Sequence, residues 1–150
     1  MPLSTSKQIT EQDIRSQDIF HKEWLYNNGV SKTSKMLKLT STGLFERFMN
    51  AISPAKRTWN GHNSSGWKED IISVNGFDER MQYGGEDCEL GDRLVNNGLK
   101  PIQIRYSAIC VHLHHSRDYK NQESIDKNKS IRKATQSNKV KHTSFGIEKP

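Results

Sequence analysis

A chain of 150 residues has the length of one ordinary domain, and its 32% hydrophobic content predicts a single modest core with polar flanks. No apolar run is long enough to span a bilayer, and the polar stretch from Met1 to Asp13 is not a secretory signal, so the expected location is the cytoplasm, with the membrane inner face as a peripheral alternative. The net charge of +6 is uneven: residues 1–60 carry +4, residues 61–116 carry −3, and residues 117–150 carry +5.

Taken in chain order, residues 1–19 read as a polar lead-in, helical from Glu11 onward. Residues 20–26 (FHKEWLY) form an amphipathic helix that Asn27-Asn28-Gly29 stops. Residues 30–42 read as a Lys- and Ser-rich loop. Leu44, Phe45, Phe48, Met49 and Ile52 then recur at helical spacing until Pro54 ends the segment. Residues 59–66 (WNGHNSSG) are a loop of turn-formers, and residues 67–74 (WKEDIISV) a short helix closed by Asn75-Gly76. Gly84-Gly85 precedes a helix from about Glu86 to Asn97, with Leu90 and Leu94 on one face and Asn97-Gly98 as its cap. Residues 100–114 read as a strand placing Ile102, Ile104, Tyr106, Ala108, Cys110 and His112 on one face. The polar remainder predicts a peripheral helix anchored by Ile125, Ile131 and Ala134, followed by a loose tail.

The sharpest chemical feature is Gly84-Gly85-Glu86-Asp87 at a helix start. Two glycines let a ligand approach the backbone, free N–H groups meet oxygens, and the helix dipole favours carboxylate charge. A carboxylate beside a polyol can take a hydroxyl proton as that oxygen attacks carbon, a general-base role. Ordinary helix capping explains the same acidic residues and, from spacing alone, is the plainer reading. Neighbouring helix residues face different ways, so Glu86 and Asp87 have different jobs. Glu89 and Asp92 are expected in solvent or paired with Arg93.

His112, His114 and His115 end the late strand. His112 and His114 share a face and could chelate a metal, but the sequence offers no third ligand nearby, and surface histidines are the plainer reading. The loop Gly61-His62-Asn63-Ser64-Ser65, followed by Trp67, suits a saccharide, whose hydroxyls need hydrogen-bond partners and whose C–H faces pack on rings. A turn followed by a core Trp is the alternative, and Tyr83 has the same two readings. Cys88 and Cys110 have no paired spacing and are free thiols in a reducing compartment. Basic flanks could meet anionic lipid or nucleic acid, yet no finger spacing and no aromatic–basic stripe is present, so no specific nucleic acid is expected.

Together these blocks resemble a known pattern. Gly61-His62-Asn63-Ser64-Ser65-Gly66-Trp67-Lys68, Val74-Asn75-Gly76-Phe77-Asp78-Glu79, Tyr83-Gly84-Gly85-Glu86-Asp87-Cys88-Glu89-Leu90, Arg93-Leu94, Asn97-Gly98 and His112-Leu113-His114-His115 are similar, in order and spacing, to the C-terminal part of family-two-type inverting GT-A glycosyltransferases, the galactosyltransferase C-terminal domain. The ending Gly146-Ile147-Glu148-Lys149 is similar to the tail of bacterial members. The resemblance is good over the centre, weak before Trp59 and thin after Lys120.

The resemblance implies an α/β fold: a partial, C-terminal GT-A (nucleotide-diphospho-sugar transferase) domain, helix-rich with few strands. Residues 1–58 are a helical and loop lead-in, 59–120 the acceptor-side domain, and 121–150 a peripheral helix and tail. It implies Asp87 as catalytic base, Glu86, Gly84, Gly85, Trp67, Asn63 and Tyr83 as substrate-binding residues, and His112 as a ligand to a divalent Mn or Mg ion, with His114 as second choice. Residues 75–78 take a scaffolding role. The implied activity transfers a hexosyl group from a nucleotide-sugar donor to a glycan acceptor with inversion. The chain departs from the pattern in one large respect. No Asp-x-Asp motif occurs, and the first 60 residues lack the strand–helix alternation of a donor-binding half. A separate donor-domain polypeptide is therefore an expected partner, and a non-catalytic carbohydrate-binding module is the alternative.

Overall fold

The computed structural model describes residues 2–3, 9–30, 36–113 and 121–149. In chain order its elements are β1 (Pro2–Leu3), α1 (Glu11–Arg15), a 3-10 turn (Asp18–Phe20), α2 (Lys22–Asn27), α3 (Leu37–Thr40), α4 (Gly43–Ile52), α5 (Lys68–Ser73), α6 (Glu86–Asn96), β2 (His112–Leu113) and α7 (Gln122–Ser137). The molecule is helix-rich, as expected. Among the described residues the strands are β1 and β2 alone, paired in parallel with Pro2 opposite His112. The chain divides into two compact units, Met1–Ala55 with Gln103–Ser116, and Lys56–Ile102 with Arg117–Pro150.

The first unit gathers around Leu25 and Met36, against which Ile9, Trp24, Tyr26, Val30, Leu39 and Val111 pack. Thr10 and Asp13 cap α1 reciprocally, each side chain bonding the other's main-chain N–H. The helix over 44–52 forms, but its apolar side chains do not enter a core: Leu44 is 82% exposed, and Phe45, Phe48 and Ile52 are exposed as well. A one-turn helix, α3, occupies part of the expected loop.

The long strand expected over 100–114 is not formed. Ile104 O accepts both Ser107 N and Ala108 N at 2.9 Å, which turns the chain back on itself. Asn50 of α4 fixes that turn, its Oδ1 accepting Tyr106 N at 2.9 Å and its Nδ2 donating to Ser107 Oγ at 2.7 Å. Among the described residues of that stretch, only His112 and Leu113 lie in a ladder.

The second unit is built on α6. Leu90 and Leu94 bury one stripe of it against Val74, Trp59 and Leu99. Gly85, at φ 92°, opens the helix in a conformation that an L side chain adopts only with strain. Glu86, Asp87 and Glu89 in the first turn and Arg93 in the last complement the helix dipole. Trp59 lies so close that a Cβ on Gly91 would stand 2.6 Å from its Cβ, so the glycine is a notch for the tryptophan.

Helix α7 packs on α6, but not through the anchors expected. Ile125 and Ile131 are only half-buried and Ala134 is exposed, while Ser124, Asn128 and Thr135 are buried. The face turned inward is thus polar. Nor is the tail loose. Asn75, in the left-handed region at φ 66°, donates through Nδ2 to Thr143 O at 2.7 Å and Glu148 O at 2.9 Å, and accepts Glu148 N at 2.8 Å. Glu79 N donates to Phe145 O at 2.8 Å, Lys149 pairs with Glu79, and the Arg80 guanidinium stacks over the Phe145 ring. The turn at 75–80, which includes the residues 75–78 expected to act as scaffold, grips the chain's last segment.

Candidate functional site

The glycine-led start of α6 brings together residues far apart in sequence. Asp87 is half-buried there. Its Oδ2 accepts the main-chain N–H of Gly61 at 2.8 Å, and its Oδ1 accepts that of Cys88 at 2.7 Å. An ionised carboxylate offers about four lone-pair sites, so each oxygen keeps acceptor capacity for a ligand hydroxyl. The loop passes within ordinary contact of the side chain: a Cβ on Gly61 would sit 3.5 Å from Asp87 Cβ. The loop itself is tied by Ser64, whose Oγ accepts Asn60 N at 2.7 Å and donates to Asn60 O at 2.8 Å. Asn63, half-buried, donates its own N–H to Asn60 O at 2.9 Å.

Glu86 folds back over the turn, and its Oε2 accepts Gly84 N at 2.7 Å. Gly84 and Gly85 both have positive φ, 112° and 92°, and Tyr83 just before them is half-buried. Glu86 and Asp87 do have different jobs in this structure, one bonding its own turn and the other an incoming loop. Trp67 is 78% exposed at the head of α5, which overturns its alternative reading as a core residue. The packed tryptophan is Trp59, whose ring lies 3.0 Å from where a Gly66 Cβ would be. No local sequence signal distinguished the two.

Beneath the site lies a buried ion pair that the sequence reading placed in solvent as one option. Glu89 and Arg93 are 1% and 0% exposed in their side chains and pair at 2.9 Å. Arg93 also donates to Val74 O and, at 2.7 Å, to Gly76 O, while Thr135 Oγ1 of α7 donates to Glu89 Oε1 at 2.8 Å. The Glu89–Arg93 pair thus ties α6 to the turn after α5 and to α7. Asp92 does not pair with Arg93; it takes Arg132 at 2.6 Å and Gln136 at 2.8 Å from α7. The hydrogen bond to Asp92 holds the Arg132 proton more tightly than usual against the opposing effect of burial, and the Asp92 charge adds to it.

Burial pushes the Cys88 thiol above its ordinary value, and the Asp87 charge adds to the effect against a smaller opposing pull from Arg132. A thiol held protonated is a poor nucleophile, which fits a packing role for Cys88. A cleft of about 380 Å³ is lined by residues that include Asp78, Arg80, Glu89, His142 and Phe145, with Asp87 not among them.

The histidine expectations fare differently. His112 lies in β2, within the first unit, whereas Asp87 belongs to the second. His114 and His115 lie outside the described residues. Among the described residues no three His, Cys, Asp or Glu side chains come together as a metal-holding group.

A family model described as the N-terminal domain of galactosyltransferase matches residues 46–116, which span parts of both units. The match supports a galactosyltransferase-type domain and a glycosyltransferase-like function, and its description names the N-terminal domain where the sequence reading looked to the C-terminal part. No curated protein and no solved structure matches the chain. Among the described residues no helix is long and apolar enough to cross a membrane.

Proposed function

We propose that this chain is the acceptor-side, C-terminal part of an inverting GT-A-type hexosyltransferase, with Asp87 as its catalytic base. The observation that carries the reading is the Asp87 carboxylate itself, half-buried at a glycine-led helix start and aligned by two main-chain N–H groups inside the segment that the galactosyltransferase family model covers. Such pre-alignment spares the reorganisation that a mobile carboxylate would need. An acceptor hydroxyl would donate to a remaining lone pair of Asp87. Its oxygen attacks the anomeric carbon of the donor, the bond from that carbon to the diphosphate oxygen breaks, and Asp87 receives the proton. The nucleoside diphosphate leaves with the bonding electron pair, and the configuration inverts.

Trp67, exposed and near the loop in sequence, is proposed as a surface for a sugar C–H face, with Asn63, Tyr83, Glu86 and the main chain of Gly84 and Gly85 as hydroxyl partners. The nucleotide-sugar would be held by a separate donor-domain polypeptide. The exposed apolar side chains of α4 support such a partner. A divalent ion would neutralise the leaving diphosphate when bound, and we propose His112 as this chain's contribution to it, with His114 as the second choice. The proposed setting is cytoplasmic, at or near the membrane inner face.

A second reading, a non-catalytic carbohydrate-binding module, is favoured by one observation: both Asp87 oxygens already accept main-chain N–H groups, as a helix-start carboxylate does in a purely structural role. Incubation with UDP-hexoses and a panel of p-nitrophenyl glycosides, with and without a co-expressed donor-domain polypeptide, separates the two. Transfer that requires the partner and disappears in Asp87→Ala supports the transferase. Glycoside binding with no transfer under any combination, unchanged in Asp87→Ala, supports the module.

A further inference from the structure

We propose that Asn128 is a positioning residue for the Gly84–Gly85 turn, and through it for Glu86; the inference rests on the acceptor-side reading above. Asn128 projects from the polar inward face of α7 and is 1% exposed. Its Nδ2 donates to Gln82 O and to Gly84 O, each at 3.2 Å. Three residues earlier on α7, Ile125 stands 3.3 Å from where a Gly84 Cβ would lie. The turn is therefore gripped from two sides: Glu86 takes the Gly84 N–H, and Asn128 bonds the Gly84 carbonyl.

The burial of this amide is not free. Among the described residues, Asn128 Oδ1 and Ser124 Oγ are buried without a hydrogen-bond partner. An unpaired buried acceptor opposes folding, and an apolar residue of the same shape would avoid it. What the amide supplies in return is a pair of donors to carbonyls on a turn with two consecutive positive-φ glycines, a backbone that no side chain of its own restrains. The consequence is functional. If Glu86 exchanges its bond to Gly84 N–H for a sugar hydroxyl, the turn loses one of its two ties. Asn128 keeps the other, so the helix start, with Asp87 on it, holds its geometry while the acceptor binds.

The test uses the full chain, ¹⁵N-labelled, with amide hydrogen exchange read at Gly84, Gly85 and Leu90, and titration with p-nitrophenyl glycosides of glucose, galactose and their N-acetyl forms. In Asn128→Leu, exchange at Gly84 and Gly85 should quicken about tenfold or more with Leu90 unchanged, and affinity for the bound glycoside should weaken by about the same factor. Ser124→Ala, which removes a buried hydroxyl from the same face, should change neither, and Asn128→Ala repeats the measurement if the leucine fails to fold. Unchanged exchange at Gly84 overturns the inference, as does faster exchange with unchanged affinity. Absence of binding by the unaltered protein to every glycoside strikes the acceptor-side reading itself, before any variant is compared, and removes the positioning role with it.

Discussion

The main-chain N–H of Gly61 donates to Oδ2 of Asp87 at 2.8 Å across 26 positions of sequence. Because Cys88 N–H occupies the other oxygen, neither side of this carboxylate can become a donor without facing another donor. Asp87→Asn is therefore not a silent isostere: its NH₂ must point at Gly61 N–H or at Cys88 N–H. We expect it to cost about 1 kcal/mol in urea unfolding, the order of one lost hydrogen bond, since Gly61 is exposed and water can take up its N–H. In the assembled transferase it should also lower turnover by about two to four powers of ten, the usual worth of a general base. An Asp87→Asn protein as stable as the parent would show that the Gly61 tie is absent in solution.

The Glu89–Arg93 pair makes a second prediction. Its side chains are fully enclosed, and Arg93 also donates to the carbonyls of Val74 and Gly76. Removing one partner leaves the other charge buried and unpaired, at a cost of about 3–5 kcal/mol. Glu89→Ala and Arg93→Ala should each destabilise by that much. The double variant should fall well short of their sum, because the two losses are largely one loss. Additive effects in a denaturation series would mean that the pair is open to solvent.

The helix that carries the candidate site was legible before the structure because its signals are local. The glycines at 84 and 85 and the spacing of Leu90 and Leu94 mark the start and face of α6, and Asn97-Gly98 marks its end. What stayed hidden depends on distant partners. Asn50 bends residues 104–108 out of a strand whose alternation is sound by itself. The inward face of α7 is Ser124, Asn128 and Thr135, so a search for apolar periodicity finds the wrong side of the helix. Trp59 and Trp67 look alike in sequence, and the notch at Gly91, 32 positions from Trp59, decides which one packs. The same limit applies to Asn75, whose side-chain partners lie 68 and 73 positions away.

The docked tail gives a third prediction. A Cβ on Gly146 would lie 1.7 Å from the carbonyl oxygen of Asn75, where backbone cannot yield as a flexible side chain would. Gly146→Ala must therefore lift residues 143–149 from the turn at 75–80. Trypsin should then cleave at Lys139 and Lys141 markedly faster than in the parent, with Asn75→Ala producing the same pattern by removing the tail's side-chain anchor. Equal cleavage rates in all three proteins would place the tail off the turn already.

Asp78 sets the pH at which that tail lets go. Burial alone would raise its carboxyl. The Arg80 side chain, the Thr143 hydroxyl and the Arg80 main-chain N–H all bond the charged form, and with the Arg80 charge they hold it below the ordinary 3.8. A folded-state value depressed below the unfolded one means that the unfolded chain binds the proton more readily. The contribution of Asp78 is then complete above the unfolded value and is lost as pH falls through the lower folded one. Urea midpoints taken from pH 7 down to pH 2 should decline on that acid limb. Thr143→Val, which removes one bond to the charged form, should reduce the depression, so that the acid decline starts at the same pH but is shallower and ends at higher pH. Asp78→Asn should flatten the limb and lower the neutral plateau, since the neutral amide loses the ion pair with Arg80. An acid limb unchanged in Asp78→Asn would assign the pH dependence to other carboxylates.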